Sequence, residues 1–158
     1  MDPETPHHTS AHRCADPVTV VTIDRLPRQP VVVAQVLRAL SEHGIPIDVL
    51  VAGRHHQYEQ LVITVGSDRA AEVVELASTV AHRFGVGPVT SESAWAEVTV
   101  EAPEGRPAGE VLAEVYERLA QRGIETRMVA ASGSTVSCLV REERVDELLA
   151  LAGGSART

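Results

Sequence analysis

The side chains able to do chemistry are few and scattered. His55 and His56 adjoin, and His43 and His82 stand elsewhere in the chain. Adjacent residues on an extended segment point to opposite sides, and no helical stretch carries two histidines at the i,i+4 spacing that grips a metal. They read as a solvated loop, and no metal is expected. Cys138 sits in an apolar run, Val136 to Val140, with no histidine near it in sequence, so it reads as a buried, inert thiol. Cys14 is the other cysteine, and the pair has no metal or redox spacing. No disulfide is expected, and a reducing cytoplasm is the expected compartment. Ser132-Gly133-Ser134-Thr135 reads in two ways: a nest presenting backbone donors to an anion, or a plain hairpin turn. Ser132 and Ser134 are therefore secondary ligand candidates. Glu114, Glu117 and Arg118 read as a solvated helix face. Nothing matches a nucleophile elbow, a phosphate-binding Walker loop or a paired-carboxylate cleft. No catalytic residue is assigned, and no cofactor is expected.

Composition narrows the partners. Hydrophobic residues make up 44% of the 158, enough for a packed core, but aromatics only 3%. The core must be aliphatic, and platforms for stacking nucleic-acid bases are missing. The formal net charge is −8, lysine is absent and no basic run occurs, which argues against a phosphate-backbone partner. No apolar stretch approaches the ~18 residues of a membrane span, so no membrane partner is expected. The first residues, polar and without an apolar stretch, do not read as a signal peptide.

The elements that must position any site come in two copies. Leu37 to Ile45 (LRALSEHGI) returns as Tyr116 to Ile124 (YERLAQRGI), about 80 residues later, right for two small fused domains. In the first copy, Val18 to Ile23 is a β-branched strand stopped by the loop Asp24 to Pro30. Pro30 falls where a helix's first turn needs no donor. Val33, Val36, Leu37 and Leu40 give a helical stripe ending at Gly44, and Ile45 to Val51 a second strand. A polar turn, Gly53 to Glu59, leads to a third strand, Leu61 to Val65. Ser67 or Asp68 is expected to cap a second helix that buries Val73, Val74, Ala77, Val80, Ala81 and Phe84. Gly87 to Thr90 is the fourth strand.

The second copy runs strand (Trp95 to Glu101), helix (Glu110 to Arg122), strands (Ile124 to Ala131, Thr135 to Val140) and a short helix burying Val145, Leu148 and Leu149. It has no evident fourth strand, leaving an open edge that invites the tail or another chain. The fold expected is α+β: two ferredoxin-like βαββαβ units, antiparallel sheets with helices on one face. Residues 1–16 are expected as a disordered tail, with at most a short edge strand near Ala11 to Ala15. The domains are then 17–91 and 92–154, with a tail at 155–158.

A loop ending Pro27-Arg28-Gln29-Pro30, a helix closing Ala39-Leu40-x-x-x-Gly44-Ile45, then Ile47-Asp48-Val49-Leu50-Val51 resembles an ACT domain. In the second copy, Met128-Val129-Ala130-Ala131-Ser132 and Thr135 to Val140 extend the resemblance to the tandem ACT regulatory region of aspartate kinases. It covers nearly everything from Val18 to Gly153. In that family the loop and the helix start hold an amino-acid effector, which implies ligand contacts from Leu26, Arg28, Gln29, Val31, Ile47 and Asp48. Two residues depart from the family. Arg28 stands where an aspartate is usual, and Val31 where a glycine lets backbone approach ligand. Reversing the charge and adding bulk favour an acidic ligand, or none; for the first, helix N-terminal donors and a guanidinium both suit a carboxylate.

The resemblance implies a regulatory protein, without the kinase domain, that binds a small amino acid or related acid. Its expected partners are a second copy of itself or an enzyme subunit. The alternative is an enzyme recruited from the same scaffold for a specialised biosynthetic pathway.

Overall fold

The computed structural model describes residues 10–27, 30–47, 49–55, 58–102 and 105–151. In chain order the elements are β1 (Ser10–Leu26), α1 (Pro30–Glu42), β2 (Val49–His55), β3 (Tyr58–Gly66), α2 (Ala70–Phe84), β4 (Val89–Glu101), α3 (Ala108–Gln121), β5 (Thr126–Ser132), β6 (Thr135–Arg141) and α4 (Val145–Leu151). Short 3-10 turns, Ser67–Arg69 and Glu142–Arg144, lead into α2 and α4. The chain divides into two compact units, one spanning Pro17–Ser93 and the other the described parts of Met1–Asp16 and Ala94–Thr158. The fold is α+β, with antiparallel strand pairs and two helices in each unit.

In the first unit the strands run in the order β2-β3-β1-β4. β3 pairs antiparallel with both neighbours, Ile63 lying opposite Val21 of β1 and Leu50 of β2. The two-residue period of the strands puts Val21, Ile23, Leu61, Ile63 and Val65 on one face. Against it pack Val32, Val36 and Leu40 of α1 and Val73, Ala77 and Val80 of α2. These helical residues recur at three- and four-residue spacing, the stripe a surface helix buries. Gly44 ends α1 with φ at 61°. Its N–H donates to the Ser41 carbonyl and that of Ile45 to the Leu40 carbonyl, both at 3.0 Å, closing a Schellman motif over two core residues.

The second unit repeats the plan with order β5-β6-β4-β1. Val98 opposes Cys138, and Val100 opposes Val136. Their face is covered by Val111, Val115 and Leu119 of α3 and by Val145, Leu148 and Leu149 of α4. Gly123 (φ 58°) repeats the helix stop, with the Ile124 N–H donating to the Leu119 carbonyl at 2.9 Å. Ala11, on the N-terminal part of β1, is 3% exposed and belongs to this same core.

Several expectations need correction. Residues 10–16, expected in a tail with at most a short edge strand near Ala11 to Ala15, are the start of a 17-residue strand, and they take the place of the fourth strand that the second copy lacks. The division between the units, after Ser93, falls inside β4. The second strand begins at Val49 rather than Ile45, and its hairpin with β3 is tighter than Gly53 to Glu59, since the ladder runs to His55 opposite Tyr58. No side chain caps the turn into α2, because the Ser67 hydroxyl is hydrogen-bonded to that of Thr19 at 2.9 Å. Phe84 is 39% exposed at the end of α2, not part of the core. The segments 1–9 and 155–158 lie outside the described residues.

Candidate functional site

The end of β1 leads into the loop on which the candidate residues cluster. Its ladder with β3 shifts between Ile23 and Leu26, and Arg25 takes φ of 55°, a left-handed conformation uncommon outside glycine. This bulge is held from three sides. The Arg25 N–H donates to Asp24 Oδ1 at 2.9 Å. The Asp24 N–H donates to the Pro88 carbonyl at 3.3 Å. Gly87 abuts the Asp24 carbonyl so closely that a Cβ there would lie 2.7 Å from the oxygen. After the bulge Leu26 turns into the core at 1% exposure, and α1 starts four residues later at Pro30.

The first turn of α1 contains no acidic residue. Its leading N–H groups have no partner within the helix, which together with the helix dipole suits an anion. Val31 sits at this end with 43% exposure. Ile47 is half-buried against the core that holds Leu26. Thus Leu26 and Ile47 act as packing beneath the loop, and Val31 faces outward. Arg28, Gln29 and Asp48 lie outside the described residues, as does His56.

The corresponding end of the second unit is built otherwise. Arg106, just before α3, grips Glu114 with both guanidinium nitrogens, Nη1 at 3.3 Å and Nη2 at 2.5 Å, and lies 3.6 Å from Glu110. Hydrogen bonds from Arg106 hold the Glu114 carboxyl below the usual carboxylate range, and the same pairing raises Arg106. Glu114, expected on a solvated face, is thereby an ion-paired residue. The secondary candidates Ser132 and Ser134 are exposed in the β5–β6 turn. The Thr135 hydroxyl donates to the Ser132 carbonyl at 2.9 Å, and the Ser134 carbonyl accepts from the Ala102 N–H. Cys138 is buried, with its thiol donating to the Val98 carbonyl at 3.6 Å.

Two further arginines were missed in sequence. Arg69 donates through Nε to Glu72 Oε2 at 2.9 Å and through Nη2 to the His43 carbonyl at 3.2 Å. Arg144 does the same with Glu147 Oε2, at 2.8 Å, and the Arg122 carbonyl, at 3.0 Å. The signal was present as Arg-x-x-Glu after the third strand of each copy, at positions the glycine-based repeat does not reach. Among the described residues no three His, Cys, Asp or Glu side chains gather as a metal site, and no helix is long and apolar enough to cross a membrane.

Two fused units with this strand order, each with glycine-stopped helices over an antiparallel sheet, match the α+β architecture expected of a tandem ACT region. The particular resemblance follows from relatives. No family model matches the chain. An aspartokinase of Thermus thermophilus is 28% identical over 127 residues, which cover 78% of this chain and 31% of that protein. The chain therefore spans about a third of the length of the curated relatives it matches. The ligand-free regulatory subunit of aspartate kinase from Thermus thermophilus superposes with a TM-score of 0.80 at 25% identity, over 93% of this chain and 97% of that one. Escherichia coli aspartokinase III, crystallised with lysine and aspartate, shares the fold at a TM-score of 0.64 and 18% identity, over 96% of this chain and 34% of that one. Over nearly its whole length, the chain resembles the regulatory part of aspartate kinases in sequence and in fold.

Proposed function

We propose that this protein is an amino-acid-responsive regulatory module whose ligand, a small amino acid or related acid, binds at the loop before α1. The observation that carries the reading is the start of α1, with no acidic residue in the first turn and an exposed Val31 after a rigidly held bulge. Similarity to a regulatory subunit over nearly the whole chain supports the same assignment. Arg28 adds a guanidinium to this end and selects a ligand with a second carboxylate, with Gln29 and Asp48 completing the polar contacts. The module acts through a second copy of itself or an enzyme subunit, by favouring one subunit arrangement over another in proportion to its differential affinity.

Calorimetric titration with aspartate, glutamate, lysine and threonine tests this. An acidic amino acid binds the wild type, and Arg28→Asp weakens it by about 30- to 1000-fold, since a charge-assisted contact is replaced by repulsion. Equal affinity in both forms would place the ligand elsewhere. No binding by either would leave a ligand-free assembly partner.

A further inference from the structure

The two arginine contacts missed in sequence have the same construction. The first helix of each unit ends in a Schellman turn, which satisfies two of its last four carbonyls and leaves the one at the cap open. In the first unit that carbonyl belongs to His43, and Arg69 takes it; in the second it belongs to Arg122, and Arg144 takes it. Each arginine sits in the 3-10 turn that opens the unit's other helix. Each is held by a glutamate three residues on, in that helix's first turn. The electrostatics suit both ends at once: the cation meets the negative end of one helix, and the carboxylate meets the positive end of the next. Two copies whose helix starts have diverged have kept this contact, so it belongs to how the helices are docked.

What the contact controls follows from where α1 begins and ends. Val32, Val36 and Leu40 hold α1 down onto the sheet, but apolar packing is non-directional. A directional hydrogen bond at one end pins the helix axis. Because a helix moves as a rod, a pin at His43 also fixes the N–H donors at Val31 and Val32, about 20 Å away at the usual helical rise.

We propose that Arg69 is a positioning residue for the start of α1, setting through the His43 carbonyl where that helix presents its free donors to the ligand. The ligand half of this statement rests on the function proposed above.

Hydrogen exchange read by mass spectrometry on the ligand-free chain separates positioning from mere stability. Arg69→Ala raises exchange across Ala34 to Leu37, hydrogen-bonded amides near the start of α1, by about 5-fold or more, the low end of coupling between distant sites. Arg144→Ala, which cuts the matching contact in the other unit, leaves those amides unchanged. Arg69→Lys guards against a misfolded alanine variant. It melts close to the wild type yet exchanges faster at α1, because a single ammonium lacks the fork that serves carbonyl and carboxylate together. Equal α1 exchange in Arg69→Ala and Arg144→Ala, or none above wild type in either arginine-69 variant, overturns the proposal. Titration with aspartate and glutamate then tests the ligand half. If the wild type binds one of them, Arg69→Lys weakens it by about 5-fold or more while Arg144→Ala does not; unchanged affinity in Arg69→Lys overturns the link to the ligand. If the wild type binds neither, the ligand reading fails, and the exchange result still decides the positioning role.

Discussion

The two units share a framework and part company at one place, the start of the first helix. Core stripe, glycine stop and arginine contact repeat almost residue for residue: Val32, Val36, Leu40, Gly44 and Arg69 against Val111, Val115, Leu119, Gly123 and Arg144. At the helix start, the first unit offers Pro30-Val31-Val32-Val33 with no acid, and the second offers Glu110 with Arg106 locked onto Glu114. The second unit answers its helix dipole with its own carboxylate and neutralises its loop arginine internally. The first has no carboxylate in the corresponding turn. The two units agree in what holds each together and differ at the end where the ligand is proposed to bind.

If the framework is common, equivalent core deletions should cost the same. Leu40 and Leu119 are 0% and 2% exposed at matching positions. Truncating either to alanine loses transfer free energy and leaves a cavity, so each variant should be about 2–5 kcal/mol less stable in urea unfolding. A large loss in one with almost none in the other would break the comparison, because it would mean one core carries the fold.

A smaller effect should appear in the first unit alone. Gly87→Ala forces a methyl to within 2.7 Å of the Asp24 carbonyl and 3.0 Å of the Arg25 Cβ, so the bulge must move. Overpacking of this kind costs about 1–3 kcal/mol. It should also weaken any ligand of the α1 start more than Leu40→Ala does, although Leu40→Ala is the more destabilised variant. The reverse order of affinities would show that the bulge does not shape that end.

What could be read from sequence followed how local its causes are. Helix stripes, glycine stops and β-branched strands are written in neighbouring residues, and Val36, Leu40, Gly44 and Cys138 stand where their spacing places them. The strand at residues 10–16 was not legible in that way. Ser10-Ala-His-Arg-Cys-Ala-Asp16 has no β-branched residue, and its strand state depends on a vacant edge beside β4, far along the chain. The open edge was visible in the second copy, with the tail as one of two candidate occupants; the length of the strand was not. Similarly, Phe84 has the spacing of a core residue, but it falls in the last turn, beyond the sheet-facing Val80 and Ala81. At the candidate site, the resemblance pointed to the loop but not to the Asp24–Arg25 bulge, whose causes at Pro88 and Gly87 are some 60 residues away.

The smallest effect is in pH, and it belongs to the second unit. Hydrogen bonds from Arg106 depress the Glu114 carboxyl, with the charges of Arg106 and Arg118 adding to the effect. A carboxyl lower in the folded than in the unfolded chain contributes stability that is fully present above its unfolded pKa, near 4.5. That contribution is lost as pH falls through the folded value. Glu147, depressed first by its hydrogen bond from Arg144, has the same sign. Urea midpoints should therefore be flat from neutral pH down to about 5 and then decline. Glu114→Gln should begin slightly lower at neutral pH and decline less, so that the two curves converge in acid. Glu114 is 36% exposed, so solvent screening keeps the separation small, and added salt should shrink it further. Parallel curves at every pH would show that the Arg106–Glu114 clamp does not hold in solution. The helix start of the second unit would then be as open as that of the first, and the contrast between them would lose its electrostatic basis.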